Sequence, residues 1–179
     1  MKLLKYFIKE WILPVLVAIV LATLINKLLF FQIKVPSSSM YPTIKIGDRI
    51  TVTKIYNKEK LKTGDLIVFK SDELKMTLIK RLIGLPGDEV IIKNKGQVFI
   101  NGSKIEEPYV VYMEDLDKKF KVPKDKYLFF GDNRADSLDA RKWENTYIDS
   151  KDIMGKAQFV VYPFKRFGEF VIGDNALNH

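Results

Sequence analysis

One long apolar run dominates the N-terminal part of the chain. No charged residue occurs from Trp11 to Asn26, and after Lys27 the run continues to Phe31. A helix of this length covers about 30 Å, the thickness of a hydrocarbon core, and a lysine near its end can reach the membrane interface. Pro14 falls in the first turn, where a missing N–H is tolerated. The pattern predicts a transmembrane helix.

A cleaved signal peptide is the alternative interpretation of this run. The run is long for the apolar region of a signal peptide, and no small-x-small cleavage site follows it before Pro36. A retained membrane anchor is therefore favoured.

The charges around the run predict its orientation. Three lysines precede the run and two lie at or beyond its other end: Lys2, Lys5 and Lys9, then Lys27 and Lys34. Positive residues beside a span prefer the cytoplasmic side. This small bias predicts a single-pass anchor with a cytoplasmic N-terminus, residues 1–31, and an extracytoplasmic domain, residues 32–179.

After residue 32, apolar and polar positions alternate over short stretches, as they do in β-strands. Strands are predicted at 44–46, 49–55, 66–69, 76–83, 89–93, 97–100, 127–130 and 157–162. Turn residues such as Asn94-Lys95-Gly96 favour hairpins, and a polar stretch within about 94–126 is predicted to be a small insertion. The sequence therefore predicts a mainly β fold, either a barrel or a sandwich.

Composition excludes several kinds of chemistry. The chain has 179 residues, no cysteine and one histidine, His179. Disulfides, cysteine catalysis and cysteine- or histidine-rich metal sites are excluded, and a serine nucleophile would need a base other than an internal histidine. The net charge of +8 suits nucleic acid or anionic lipid. Because the lysines form no single stripe, solvated turns and a lipid surface are favoured over nucleic acid.

Lys80 is the candidate base. Strand alternation places it on one face with Leu78 and Leu82, and burial among apolar groups lowers the pKa of a lysine. At a free pKa of about 10.4, about 1 in 250 amines is neutral at pH 8, and a fall of about two units raises this to about a third. Only the neutral amine can take a proton from a serine. The alternative is a lysine that reaches solvent from an edge strand.

Two other segments carry candidate chemistry. Ser39 lies within Pro36-Ser37-Ser38-Ser39-Met40-Tyr41-Pro42-Thr43, which could be a plain turn or linker. A serine on a tight turn beside free backbone N–H groups is also how an oxyanion site is built. Residues 131–141 carry several acids and could pass for a calcium loop, but Arg134 and Arg141 would oppose a cation. Asp/Arg pairs that support a loop are the better interpretation.

In their order behind an apolar anchor, these segments resemble bacterial type I signal peptidases, the Ser–Lys proteases that remove signal peptides from exported preproteins. The shared motifs are Ser-Met-x-Pro-Thr at 39–43, Gly-Asp at 47–48, Lys-Arg and Gly-Leu-Pro-Gly-Asp within 80–88, and Gly-Asp-Asn-Arg with Ser-x-Asp-x-Arg within 131–141. The resemblance covers nearly the whole chain, in the compact single-span form typical of Gram-positive bacteria. It implies the β fold that these peptidases share with Ser–Lys repressor proteins.

The resemblance implies a role for each matching residue. Ser39 would be the nucleophile and Lys80 the general base. Ser37 would join the Ser39 backbone N–H in the oxyanion hole, and Ser137 would orient the lysine amine. Two ion pairs would support the site, Arg81 with Asp132 and Arg141 with Asp139. Many family members have Asp-Asn where this chain has Ala135-Asp136, so the role of those two side chains stays open.

The implied activity is acyl-enzyme hydrolysis after small-x-small sites, without metal or cofactor. The implied partners are secretory preproteins and the lipid bilayer, with no nucleic acid. Two alternatives remain. Self-cleaving Ser–Lys repressors share the fold but carry a DNA-binding helical domain where this chain has an apolar span. A membrane-anchored binding domain without catalysis would not need Ser39, Lys80 and Ser137 together.

Overall fold

A computed structural model describes residues 8–168 and residue 170. The chain divides into two compact units, residues 1–31 and residues 32–179. Outside the described residues lie 1–7, 169 and 171–179, with Lys2, Lys5, His179 and also the side chain of Lys9.

The first unit contains one α-helix, α1 (Leu13–Leu29), which follows a π-helical turn at Ile8–Ile12 and has its proline in the first turn. Within the described residues, one 20-residue stretch, Glu10–Leu29, is long and apolar enough to span a membrane. None of its residues is buried against protein. Apolar side chains exposed all around a helix suit lipid as their surroundings.

The helix ends two residues before the predicted boundary. Phe30 has extended backbone angles, φ −126° and ψ 156°, and with Phe31 it begins the first β-strand. The apolar pattern continued through these two phenylalanines because an apolar run does not show where helix changes to strand.

The described residues contain eleven strands in two sheets, and all but the first two residues of these strands lie in the second unit. The strands are β1 (Phe30–Lys34), β2 (Arg49–Lys54), β3 (Leu66–Ser71), β4 (Met76–Gly84), β5 (Glu89–Lys93), β6 (Gln97–Ile100), β7 (Ser103–Lys104), β8 (Lys118–Lys121), β9 (Lys126–Phe130), β10 (Ile148–Asp149) and β11 (Ile153–Tyr162). The larger sheet has the order β1-β2-β11-β3-β4-β9-β10, and the smaller one has the order β7-β6-β5-β8. The mainly β prediction is confirmed.

Both sheets contribute to one hydrophobic core. Phe69 of β3 stacks on Phe129 of β9 with ring centroids 4.5 Å apart, and Phe120 of β8 contacts Phe130 at 5.7 Å. Val90 of β5 is completely buried in the same cluster. Aromatic pairs of this kind stabilise a core beyond the area that they bury.

The segment predicted as a polar insertion takes more part in the fold than expected. Within residues 94–126, strands β6 and β8 pair with the two sides of β5, and β7 pairs with β6. Val98, Phe120 and Val122 are buried in the core. Residues 105–117 are its longest stretch without helix or strand. The few buried apolar positions of this segment were hidden among charged neighbours that point to solvent.

The strand predicted at 44–46 is wrong. The backbone N–H of Ile44 donates to the carbonyl oxygen of Met40, and the Lys45 N–H donates to the Asp48 carboxylate at 2.8 Å. Gly47 has a positive φ of 90°, a conformation that glycine adopts without strain. These contacts fold the segment into consecutive turns, although Ile44 itself is buried.

Strand β4 carries Lys80 and Arg81, two of the candidate site residues. It lies between β3 and β9, with Lys80 opposite Ile67 and Arg81 opposite Phe130. All of its residues from Ile79 to Gly84 are buried. The neighbouring strand β9 ends at Phe130, and the segment 131–141 begins there.

Candidate active site

Lys80 is almost completely enclosed by protein, with 2% of its surface exposed. Burial lowers the pKa of its amine to about 8, although the negative charges of Asp139 and Asp132 partly oppose this and Arg141 adds to it. Desolvation disfavours the charged form of a lysine. A large fraction of the Lys80 amine is therefore neutral near pH 8, which a free lysine does not achieve.

Ser39 lies on a turn that is held in place by the buried residues that follow it. Its neighbour Met40 is 1% exposed, whereas Ser39 is half-buried and Ser37 is exposed. The hydroxyl oxygens of Ser37 and Ser39 are 3.4 Å apart. Thr43 at the end of the turn donates to the Asp132 carboxylate at 2.6 Å. The turn is thus fixed at two positions after the half-buried serine.

Ser37 and Ser39 open onto a cleft of about 420 Å³. One wall is formed by the chain from Ile33 to Ser39, and the other by the first part of β4, Met76 to Ile79. The strand that forms the second wall is the one that carries Lys80. The cleft therefore lies beside the serine turn and along the strand of the buried lysine.

Gly131 brings the serine turn and the 131–141 segment into contact. A Cβ atom at this position would lie 2.2 Å from the Ser137 hydroxyl oxygen and 2.4 Å from the carbonyl oxygen of Ser39. No side chain fits there, because real Cβ atoms do not approach other heavy atoms so closely. The absence of a side chain lets Ser39 and Ser137 meet at the same point.

Ser137 and Asp139 lie beneath this contact, both with no exposed surface. The Ser137 hydroxyl lies against the Asp139 carboxylate and helps to lower the pKa of that carboxylate. The Asp139 carboxylate accepts from the Gly131 N–H at 2.7 Å and from Arg141 at 2.8 Å. Burial alone would raise the pKa of Asp139, but these bonds outweigh it and hold that pKa below its usual range. Asp139 is therefore a carboxylate, and it faces Lys80 as a negative charge.

Arg81 and Asp132 form a second buried ion pair, with two contacts at 2.8 and 2.6 Å. Arg81 also donates to the carbonyl oxygen of Gly64 at 2.8 Å, and its guanidinium lies 3.6 Å from the centre of the Tyr109 ring. Because Thr43 shares the same carboxylate, this pair ties β4 to the end of the serine turn.

The 131–141 segment also holds the backbone of the serine turn. The Asn133 N–H donates to the Ser39 carbonyl oxygen at 3.2 Å. The Ser38 hydroxyl donates to the Asp136 carboxylate at 2.8 Å. Asp136, whose role was open from the sequence, thus contacts the residue before Ser39, while Ala135 uses its N–H to bind the carbonyl oxygen of Tyr112.

The structure brings the sequence-predicted residues into one region. Ser39 and Ser37 line the cleft, Lys80 is buried on the adjoining strand, Ser137 meets Ser39 at Gly131, and both Asp/Arg pairs form. Sequence reasoning quoted Gly131 and Thr43 within motifs but gave them no role. It missed Glu107 and Glu114, which pair with Arg134 and Arg141. No local pattern marks these two acids, since they lie in an irregular polar segment.

A metal site is not apparent in the part of the chain that the structure describes. No group of three or more His, Asp or Glu side chains there could hold a metal ion. The acids of the 131–141 segment are instead engaged with arginines, as in the pairs Asp132–Arg81 and Asp139–Arg141.

Comparisons with known proteins show which family the chain is similar to. A family model described as signal peptidase, peptidase S26, matches residues 8–162. The chain is 39% identical to signal peptidase I P of Bacillus subtilis subsp. natto, covering 89% of this chain and 91% of that protein. It is 34% identical to signal peptidase IB of Staphylococcus aureus, covering 97% and 100%. A crystal structure of a signal peptidase I from Enterococcus faecalis matches with a TM-score of 0.49 and 28% identity, over 54% of this chain and 96% of that one.

A serine on an open cleft, with a buried lysine of lowered pKa on the strand of one wall, has the groups that a serine endopeptidase needs. The family match over most of the chain is more specific. The chain belongs to the signal peptidase family, peptidase S26. It is accordingly a serine endopeptidase with signal peptidase function, and its N-terminal apolar helix agrees with a place at the membrane.

Proposed function

We propose that the chain cleaves signal peptides from exported preproteins by acyl transfer, with Ser39 as the nucleophile and Lys80 as the general base. The surroundings of Lys80 carry this proposal. Lys80 is 2% exposed, its pKa is lowered to about 8, and it lies on the strand that forms one wall of the cleft onto which Ser39 opens. A lysine can serve as a base near neutral pH only in such surroundings.

In the first half of the reaction, the neutral Lys80 amine takes the proton from the Ser39 hydroxyl. The Ser39 oxygen attacks the carbonyl carbon of the last signal-peptide residue, and a tetrahedral oxyanion forms. The protonated amine then gives its proton to the leaving nitrogen of the mature protein as the peptide bond breaks. An ester between Ser39 and the signal peptide remains.

In the second half, Lys80 takes a proton from water, and the resulting hydroxide attacks the ester. The proton returns to the Ser39 oxygen as the signal peptide leaves with a free carboxylate. The Ser37 hydroxyl and the Ser39 N–H would hold the oxyanion in both halves. The 3.4 Å separation of the two serine hydroxyl oxygens supports this assignment.

Ser137 would orient the lysine amine. Its hydroxyl is completely buried and lies against the Asp139 carboxylate, which is one of the charged groups that act on the Lys80 amine. Arg81, Asp132, Asp139 and Arg141 would act as structural support, since their two pairs fix β4 and the 131–141 segment.

The cleft supports a preference for small residues at the first and third positions before the cut. One wall belongs to strand β4, and the other begins in β1 before it bends into the serine turn. An extended substrate can add to a strand by backbone hydrogen bonds, which leaves pockets for alternate side chains. The exported preprotein is thus the proposed partner, held in the same bilayer as the enzyme.

The proposed topology is a single-pass anchor with a cytoplasmic N-terminus, residues 1–31, and an extracytoplasmic catalytic domain, residues 32–179. The positive charges before the apolar run support this orientation. Protease added to intact spheroplasts should degrade the catalytic domain and spare an N-terminal tag. Protection of the catalytic domain would reverse the assignment.

The test of the activity is cleavage of a model preprotein in detergent micelles by wild type, Ser39→Ala and Lys80→Ala, with the cut site read by mass spectrometry. We expect the wild type to cut after a small-x-small sequence and both variants to be inactive. Cleavage by Lys80→Ala would show that another group is the base, and a wild type inert on several preproteins would overturn the proposal.

A further inference from the structure

The irregular segment between β7 and β8 reaches the active site at four points. We call residues 105–117 the strap and residues 131–141 the site loop. The strap has neither helix nor strand, so backbone pairing within a sheet does not fix its course. Its position depends on the side-chain and backbone contacts that it makes.

The first contact is a buried ion pair between the strap and the site loop. Both terminal nitrogens of Arg134 donate to the Glu107 carboxylate, at 3.1 and 2.6 Å. The two side chains are 3% and 7% exposed. Arg134 also donates from Nε to the carbonyl oxygen of Gly131 at 2.9 Å. Glu107 is therefore connected through one side chain to the point where Ser39 and Ser137 meet.

The second contact involves Tyr109 of the strap. Its hydroxyl donates to Glu107 at 2.8 Å, and its ring lies under the guanidinium of Arg81 at 3.6 Å. Tyr109 is 7% exposed. A buried aromatic face against an arginine is attractive, so Tyr109 holds the side chain that pairs with Asp132.

The third and fourth contacts hold the middle and the end of the site loop. The carbonyl oxygen of Tyr112 accepts from the Ala135 N–H at 3.2 Å, and its ring lies 5.9 Å from that of Tyr41, two residues after Ser39. The Glu114 carboxylate accepts from Arg141 at 2.6 Å and lies 3.1 Å from the Lys142 amine.

We propose that the strap is a positioning element for catalysis, in which Glu107 and Glu114 hold the site loop so that Ser137 and Asp139 stay beside Lys80. This rests on the proposed roles of Ser39, Lys80 and Ser137. Each end of the site loop carries one arginine, and each arginine binds one strap carboxylate. Neither glutamate would touch substrate, so both act through the loop.

The strap offers a matched pair of variants. Glu114→Gln removes one negative charge that binds Arg141 but leaves Arg141 its second partner, Asp139, so the variant should fold. Glu106→Gln is the control, because Glu106 lies in the same segment and pairs only with Lys104 at the surface, with exposures of 82% and 45%. Glu107→Gln and Glu107→Asp then test the more buried contact, with the shorter acid as the conservative rescue.

In the full-length protein in detergent micelles, we expect Glu114→Gln to lower kcat for a model preprotein about fivefold to tenfold, because small displacements of positioning groups are costly. KM should stay within about twofold. The pH midpoint of kcat should move to lower pH, because the charge of Arg141, which already lowers the pKa of Lys80, would lose one of its acidic partners. Glu107→Gln should show a larger loss of kcat, Glu107→Asp a smaller one, and Glu106→Gln none.

Two readouts do not need activity. Hydrogen exchange of the site-loop amides should accelerate in Glu114→Gln, and NMR titration of the Lys80 amine should show the same downward shift of its midpoint. If the wild type cleaves no preprotein, the proposed function fails while these two measurements still test the strap. If Glu114→Gln and Glu107→Asp lower only the melting temperature, with kcat, midpoint and exchange equal to those of Glu106→Gln, the strap is structural and the proposal is wrong.

Discussion

Ser39 and Lys80, the proposed nucleophile and general base, differ in how far they are exposed to solvent. Ser39 lies half-buried on a turn at the edge of a cleft, whereas Lys80 is 2% exposed in the middle of a strand between two others. The difference fits the roles proposed for the two residues. A nucleophile has to meet a substrate that comes from outside, while a lysine base has to be kept away from water so that its amine is neutral.

The largest expected effects come from replacing Ser39 or Lys80. Both replacements should abolish activity, but they should differ in their effect on the free energy of unfolding. Ser39→Ala and Lys80→Met should each reduce cleavage by about 10⁴-fold or more. At pH 7, Lys80→Met should raise the free energy of unfolding by on the order of 2–3 kcal/mol, because it removes a buried amine that is costly to protonate. Ser39→Ala should change it by less than about 0.5 kcal/mol. Urea unfolding of the three proteins measures the contrast, and equal stabilities would argue that Lys80 is not sealed from water.

The buried ion pair of Arg81 and Asp132 connects strand β4 to the serine turn, because the Thr43 hydroxyl donates to the same carboxylate. Arg81→Met should lower the free energy of unfolding by about 3–5 kcal/mol, because it leaves a buried carboxylate unpaired. The double variant Arg81→Met with Asp132→Leu should recover part of this loss. Lys104→Met, at an exposed ion pair, is the control and should cost less than about 1 kcal/mol. A double variant as unstable as the sum of its parts would contradict this account.

Gly131→Ala should press the serine turn away from Ser137. Its Cβ would overlap the Ser39 carbonyl oxygen and the Ser137 hydroxyl, and relief of such overlap typically costs about 1–3 kcal/mol. The displacement of Ser39 should lower kcat by about 10²-fold. Thermal unfolding and single-turnover cleavage measure the two effects. Gly102→Ala is the control without overlap, because a Cβ there meets nothing within 4 Å. Its positive φ gives it a stability cost that Gly131→Ala does not have, but it should leave kcat unchanged.

The pH dependence of kcat and of the free energy of unfolding tests the lowered pKa of Lys80 without any substitution. Below about pH 8, kcat should fall about tenfold per pH unit as the Lys80 amine is protonated, and above it kcat should level off. For stability, the folded protein binds fewer protons than the unfolded chain between about pH 8 and about pH 10.4, so the contribution of Lys80 to the free energy of unfolding rises with pH across this window. Lys80→Met should lack this rise, and a wild type without it would mean that the amine titrates normally.

The two regions also differ in how far the sequence predicted them. Lys80 could be found because strand alternation determines which residues share a face, and its neighbours Leu78 and Leu82 made that face apolar. The positions of β5 and β6 followed from a hairpin turn at Asn94-Lys95-Gly96 in the same way. Such periodic signals are local, so one sequence is enough to reveal them.

The strap could not be predicted because its order comes from distant partners. Glu107 and Arg134 are 27 positions apart, and nothing in the local pattern of an irregular polar segment tells a buried acid from a solvated one. The turns at 44–46 were misassigned for a related reason, since Ile44 alternates like a strand residue while its backbone bonds to Met40. The roles of single residues in such regions depend on tertiary contacts.

The enclosure of Lys80 has a consequence for chemical labelling. At pH 8 about half of its amine is neutral, whereas about 1 in 250 free lysines is, so by proton equilibrium alone it would react with acylating reagents much faster than a free lysine. With 2% of its surface exposed, it offers such reagents no approach. Acetylation at pH 8, followed by peptide mass spectrometry, should modify the surface lysines first and leave Lys80 intact: the same burial that makes this amine nucleophilic also protects it from electrophiles in solution.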